Sequence, residues 1–206
     1  MIIFPKKNSK KKPNLFFKEY VSSLKACANN IDFNKLEKIS RLVEQKIINR
    51  KNIFVLGNGG AASVANHFSC DFNKGIKLSS NKKLLPKIIS LSNQVELITA
   101  ISNDINYENI FEFQIENFIE EGDCIFAMSC SGTSKNVIKL LKKIEKRKIS
   151  IILITGFLKK KPNTRIDYHL DLGCKNYGIT EDLFSSIMHM ISQNIRYKHQ
   201  ETSDIL

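Results

Sequence analysis

No apolar run in the chain approaches the roughly 20 residues that a membrane span requires, so nothing in the sequence reads as a transmembrane helix. The apolar start, Met1 to Phe4, is cut off by Pro5 and a lysine cluster, which leaves neither a signal peptide nor an anchor. Cysteine is sparse and unpatterned: Cys27, Cys70, Cys124, Cys130 and Cys174 are odd in number and lack CxxC spacing. Such usage fits free thiols in a reducing compartment, and a cytoplasmic location is expected. The chain also lacks the GKS or GKT of a P-loop, any internal repeat, and aromatics interleaved with its basic runs. That last absence bears on the formal net charge of +12, which otherwise invites a nucleic-acid partner. Lys6, Lys7, Lys10, Lys11 and Lys12 supply five of those charges, so the excess without them is +7. The rest lie in solvated runs such as Lys142-Lys143 and Lys159-Lys160-Lys161, in a chain rich throughout in Ile, Asn and Lys. A nucleic-acid partner is therefore not expected, although a basic field attracts an acidic sugar phosphate.

What is present is an ordinary globular composition, 42% hydrophobic and 25% charged over 206 residues, enough for one domain with a full core. Residues 1–12 read as a basic, mobile arm and 13–206 as a single domain. Apolar residues from Asn14 to about Arg50 recur at helical spacing in two sets, with Asp32 or Asn34 as the cap of the second helix. Five short apolar runs follow: Ile53 to Leu56, Ile88 to Leu91, Cys124 to Met128, Ile149 to Ile154 and Tyr168 to Leu172. Helical segments separate them, near 61–75, 93–101, 107–120 and 134–147, and a last helix is expected over 180–196. Strands alternating with helices predict an α/β, three-layer sandwich: a five-stranded parallel sheet flanked by helices, with extra N-terminal helices.

Three stretches carry chemistry. The first strand ends in Gly57-Asn58-Gly59-Gly60 and opens a helix whose free N–H groups suit an anionic ligand. On that helix His67 and Asp71 are four residues apart, on one face, where they suit a metal or a proton. The glycine run also fits the dinucleotide pattern, but Leu78-Ser79-Ser80-Asn81, some twenty residues on, offers no acid for a ribose. The third strand ends in Ser129-Cys130-Ser131-Gly132-Thr133-Ser134; a plain helix cap explains one of its four hydroxyls, and phosphate binding explains the others. Near the end, Glu181 and Asp182 precede His189 on one helix. Asp182 aligns better with His189 by helix geometry, while Glu181 sits in the first turn where it can swing.

Together these motifs resemble the sugar isomerase (SIS) domain, and within it the phosphoheptose isomerases. The resemblance runs from about residue 15 to 197, through LGNGG with His67, NDINYENIF at 103–111, EEGDCIFAMSCSGTS at 120–134, and the helix with His189. It implies an SIS or flavodoxin-like fold and an aldose-ketose isomerase that converts sedoheptulose 7-phosphate to D-glycero-D-manno-heptose 7-phosphate through an enediol. It implies that Ser129, Cys130, Ser131 and Ser134 surround the phosphate, while Asn58, Gly59, Gly60, Asp104 and Glu181 bind the substrate. It further implies a divalent metal, usually zinc, on His67, Asp71, Glu181 and His189, with Asp71 as base and His189 as acid, in sites shared between the subunits of a homotetramer. A silent phosphosugar-binding regulator and an isomerase of another phosphosugar are the alternatives. Where the heptose enzymes carry Ser, Thr, Glu and Gln, this chain has Ala61, Cys130, Asp71 and Glu181. Asp71 is one methylene shorter than Glu, which sets a base back by about one carbon–carbon bond. Such changes suggest a branch serving lipopolysaccharide, capsule or modified-heptose synthesis.

Overall fold

The computed structural model describes residues 2, 4, 5, 12–158 and 160–200. Most of the expected arm, together with Lys159, lies outside the described residues.

Two helices come first. α1 (Pro13–Asn29) places Pro13 in its first turn, where a missing N–H costs nothing. α2 (Phe33–Ile48) is capped by Asp32, whose Oδ1 accepts the Lys35 N–H at 3.0 Å, which decides between the two expected caps. The alternating part follows: β1 (Asn52–Leu56), α3 (Gly60–Asp71), a π turn (Phe72–Ile76), α4 (Lys77–Ser79), β2 (Lys87–Ser90) and α5 (Val95–Asp104). Next come a 3-10 turn (Tyr107–Asn109), α6 (Ile110–Ile115), β3 (Cys124–Ser129), α7 (Lys135–Ile144), β4 (Ser150–Thr155), β5 (Tyr168–Asp171) and α8 (Tyr177–Lys198).

All five strands pair in parallel, in the order β2-β1-β3-β4-β5. Successive side chains alternate between two cores, as a sheet covered on both faces requires. Ile53, Val55, Phe126 and Met128 face one core with Phe68, Phe72, Phe184 and Ile191, under α1, α2, α3 and α8. Phe54, Leu56, Ile125 and Ala127 face the other with Phe111, Val137 and Leu141, under α5, α6 and α7. The chain leaves β1 toward β2 and then crosses back to β3, so the direction of winding reverses between β1 and β3. Open α/β sheets bind ligands in the crevice at that point, outside the carboxyl ends of the strands.

Several boundaries differ from expectation. The helix expected to end near 75 continues to Ser79 through the π turn, because Phe68, Phe72 and Ile76 keep one apolar face buried across it. The helix expected over 107–120 is a 3-10 turn followed by α6. α8 begins at Tyr177 rather than 180, since the Asn176 side chain accepts the Ile179 N–H at 2.9 Å. The arm is docked at its start: Ile2 makes a parallel bridge to Cys174, and Phe4, 7% exposed, packs on Phe16 and Tyr20 while its carbonyl accepts Asn176 Nδ2 at 2.9 Å.

Candidate active site

Two loops leave the carboxyl edge of the sheet side by side, because β1 and β3 are neighbours. In the first, the lack of a Cβ at Gly60 leaves room for the carboxylate of Glu181, reaching over from α8. A Cβ there would stand 2.2 Å from Glu181 Cδ. Burial, and then the charge of neighbouring Asp182, raises the Glu181 carboxyl above its ordinary range. In the second loop, Ser129 Oγ and Ser134 Oγ are 3.3 Å apart, and Ser131 Oγ and Thr133 Oγ1 3.0 Å apart. Gly132 turns the loop at φ +66°, pressed against Leu158 and Thr155. Cys130 is buried; burial first, then the charge of Glu181, pushes its thiol up to about 12, so it faces the loop as a neutral group. The serine-rich loop therefore offers hydroxyls and N–H groups at the start of α7, the donors a phosphate accepts.

Asn58, expected to reach a sugar, is held in a network. Its Nδ2 donates to Asn136 Oδ1 and its Oδ1 accepts from Asn136 Nδ2, both at 2.9 Å, while the Tyr107 hydroxyl also donates to Oδ1 at 2.9 Å. Asp104 closes α5 as an exposed residue, its Oδ1 accepting from Asn103 Nδ2 at 2.8 Å. The segment after it is tied to the glycine loop by Tyr107.

α3 and the π turn that continues it pack beside α8 and run in the same direction, with three rungs between them: Gly60 to Glu181 and His67 to His189 from α3, and Gly75 to Arg196 from the π turn. At the middle rung the Nε2 atoms of His67 and His189 are 2.8 Å apart, with the rings nearly perpendicular. One ring must present N–H and the other a lone pair, so the pair can exchange a proton or open toward a shared cation. The outer rung holds Asp71, whose Oδ1 is 3.4 Å from where a Cβ on Gly75 would stand, next to Arg196. Eight residues of helix rise about 12 Å, so Glu181 and His189 stand at opposite ends of that interval within one chain. Among the described residues no three His, Cys, Asp or Glu side chains are grouped as metal ligands. Imidazole and carboxylate are donor types that zinc accepts, and His67 and His189 would have to part from their 2.8 Å contact to share one ion. Asp71 and Glu181 stand apart from them in the single chain.

Asp182 is occupied elsewhere: the Tyr20 hydroxyl donates to its Oδ2 at 2.6 Å, leaving Glu181 as the acid that turns toward the crevice. Sequence reasoning missed Tyr20, Tyr107 and Asn136. Tyr107 lay within the quoted NDINYENIF stretch, so a signal for it was present. Nothing in the local pattern marks Asn136 on α7 or Tyr20 on α1 as belonging to a site.

Against this geometry stand the comparisons with known proteins. Residues 16–156 match the family model described as SIS domain. The chain is 30% identical over 160 residues to the phosphoheptose isomerase of Campylobacter concisus, covering 78% of this chain and 83% of that one. It is 30% identical over 180 residues to that of Aliarcobacter butzleri, covering 86% and 94%. Its fold is that of the solved phosphoheptose isomerase GmhA from Neisseria gonorrhoeae, at TM-score 0.77 and 24% identity, covering 88% of this chain and 95% of that one. The chain belongs to the SIS domain family, in the branch of the phosphoheptose isomerases.

Proposed function

We propose that this protein is an aldose-ketose isomerase converting sedoheptulose 7-phosphate to D-glycero-D-manno-heptose 7-phosphate. The observation that carries the reading is the meeting of His67 and His189, 122 residues apart in sequence, on the two helices that border the serine-lined crevice. A phosphosugar-binding regulator has use for the serine loop and none for a facing pair of imidazoles. The same site would also serve an isomerase of another phosphosugar, which the substrate test below separates.

In the reaction a base takes a proton from carbon 1 of the open-chain ketose while an acid protonates the carbonyl oxygen on carbon 2, giving an enediol. Return of a proton to carbon 2 and loss of one from oxygen 1 complete the aldose. The loop from Ser129 to Ser134 would anchor the phosphate and so hold the reacting carbons in place. Asp71 would serve as base and His189 as acid, with His67 fixing which nitrogen of His189 carries the proton. Zinc, which would sit on His67 and His189 with Asp71 and Glu181, supplies polarisation of the carbonyl when bound. The rise between the rungs supports a site completed by a second copy in a homo-oligomer, the Glu181 end of one chain meeting the imidazoles of another. We place it in the cytoplasm, feeding heptose into surface polysaccharide. Among the described residues no helix is long and apolar enough to cross a membrane.

Incubating the zinc-supplied protein with sedoheptulose 7-phosphate in D2O tests the reading. Deuterium is expected at carbon 2 of the product, and to vanish in His189→Asn. Absence of exchange in the wild type overturns it.

A further inference from the structure

The network around Asn58 has a direction, and it starts at the backbone. The Val137 N–H, in the first turn of α7, has no earlier carbonyl to bond and donates to Asn136 Oδ1 at 2.9 Å. An N–H can only donate, so this contact fixes which end of the Asn136 amide is oxygen. Asn136 Nδ2 must then donate to Asn58 Oδ1, and Asn58 Nδ2 returns a bond to Asn136 Oδ1, each at 2.9 Å. Asn58 Oδ1 thereby faces Tyr107 as an acceptor, and the phenol can only donate to it, at 2.9 Å. Counting groups, Asn58 Oδ1 and Asn136 Oδ1 have both used two acceptor sites, and Asn58 keeps a single N–H for a ligand. Asn58 is thus nearly spent as a sugar contact.

Tyr107 is not. Its only proton points inward to Asn58, so its oxygen keeps lone pairs for a donor from outside, and the residue is 54% exposed. Its segment is braced on α7, where Lys135 Nζ lies 3.0 Å from Glu108 Oε1 and Lys139 Nζ donates to Asn109 Oδ1 at 3.0 Å. Asn136 is 2% exposed, out of reach of any ligand. We propose that Tyr107 takes the place expected of Asn58 as an acceptor for a sugar hydroxyl, and that buried Asn136 is a positioning residue that sets the phenol's polarity and locks the glycine loop to the phosphate loop. The inference rests on the sugar-phosphate reading of the site and names which contact recognises the sugar rather than the phosphate.

Binding, read apart from turnover, tests it. Sedoheptulose 7-phosphate and inorganic phosphate are titrated calorimetrically into wild type, Tyr107→Phe and Asn136→Asp. Tyr107→Phe is expected to weaken the sugar phosphate roughly three- to tenfold, the worth of one neutral hydrogen bond, with phosphate affinity and melting temperature unchanged. In turnover the loss should appear in KM and leave kcat within about twofold. Asn136→Asp, which cannot donate to Asn58, is expected to lose sugar-phosphate affinity at least as far, and adding Tyr107→Phe to it should cost little more. Unchanged sugar-phosphate affinity in Tyr107→Phe, or an equal loss for inorganic phosphate, overturns the proposal. If the wild type binds the sugar phosphate without isomerising it, the isomerase reading fails while the role of Tyr107 is still decided by its own titration. A wild type that does not bind the sugar phosphate overturns both.

Discussion

Gly60 and Glu181 show how one hydrogen atom in place of a methyl shapes the crevice. The carboxylate occupies the volume that a Cβ would take, 2.2 Å from Glu181 Cδ, and the clashing group is the far end of a flexible side chain. Gly60→Ala should therefore leave the fold intact, with a melting temperature equal to or slightly above the wild type, since alanine is the better helix former. Activity should fall at least tenfold, because Glu181 must leave its place and a displacement of about 1 Å in a site can cost a hundredfold. Equal kcat/KM in the two proteins would remove Glu181 from the site. The hydroxyl loop and the His67–Asp71 spacing could be picked out locally from strand-to-helix turns and helix periodicity, whereas His189 joined the expected site only through the resemblance to the sugar isomerases. Tyr20 was not legible, since its partner Asp182 lies 162 residues away and no local pattern encodes that distance. Nor was Asn136, whose importance comes from what Asn58 faces across two neighbouring strands.

Among elements, the long helices and all five strands followed from periodicity, and the π turn after Asp71 did not. Phe68, Phe72 and Ile76 repeat every four residues, which an α-helix and a widened turn satisfy equally well. The far end of α8 is tied to α2 by Glu44, which bonds Lys198 Nζ at 2.9 Å and His199 Nε2 at 2.8 Å. Burial raises the Glu44 carboxyl, but its two partners outweigh that and hold it below its ordinary range. A carboxyl lowered by folding adds stability that is complete above its unfolded value and disappears as pH falls through the folded one. With the Glu44 side chain 15% exposed, Glu44→Gln should cost about 1 kcal/mol near neutral pH. The difference between the two proteins in urea unfolding should close as the solution is acidified through the carboxylate range. A gap that is constant with pH would mean that packing, not charge, joins the two helices.

For the whole molecule, the strand order and the reversal of winding between β1 and β3 put both loops on one edge, and the alternation of strands and helices was enough to foresee that. Which parts of the site share a chain was not legible, because spacing along a helix says nothing about a second copy. The two rungs between α3 and α8 keep Glu181 and the imidazole pair apart by a fixed rise. If sites are shared, co-assembling the inactive variants Glu181→Ala and His189→Ala should restore part of the activity, since a hybrid site can draw one intact residue from each chain. Activity measured before and after joint unfolding and refolding checks this, and mixtures as inactive as their parts would confine the site to one chain.

Ile2 and Phe4 grip the far side of the same machinery. The Phe4 carbonyl holds Asn176, the residue that caps α8 one turn ahead of Glu181. Cutting the chain back to the first helix would therefore strip the buttress from the crevice, and a Phe4 substitution would loosen it.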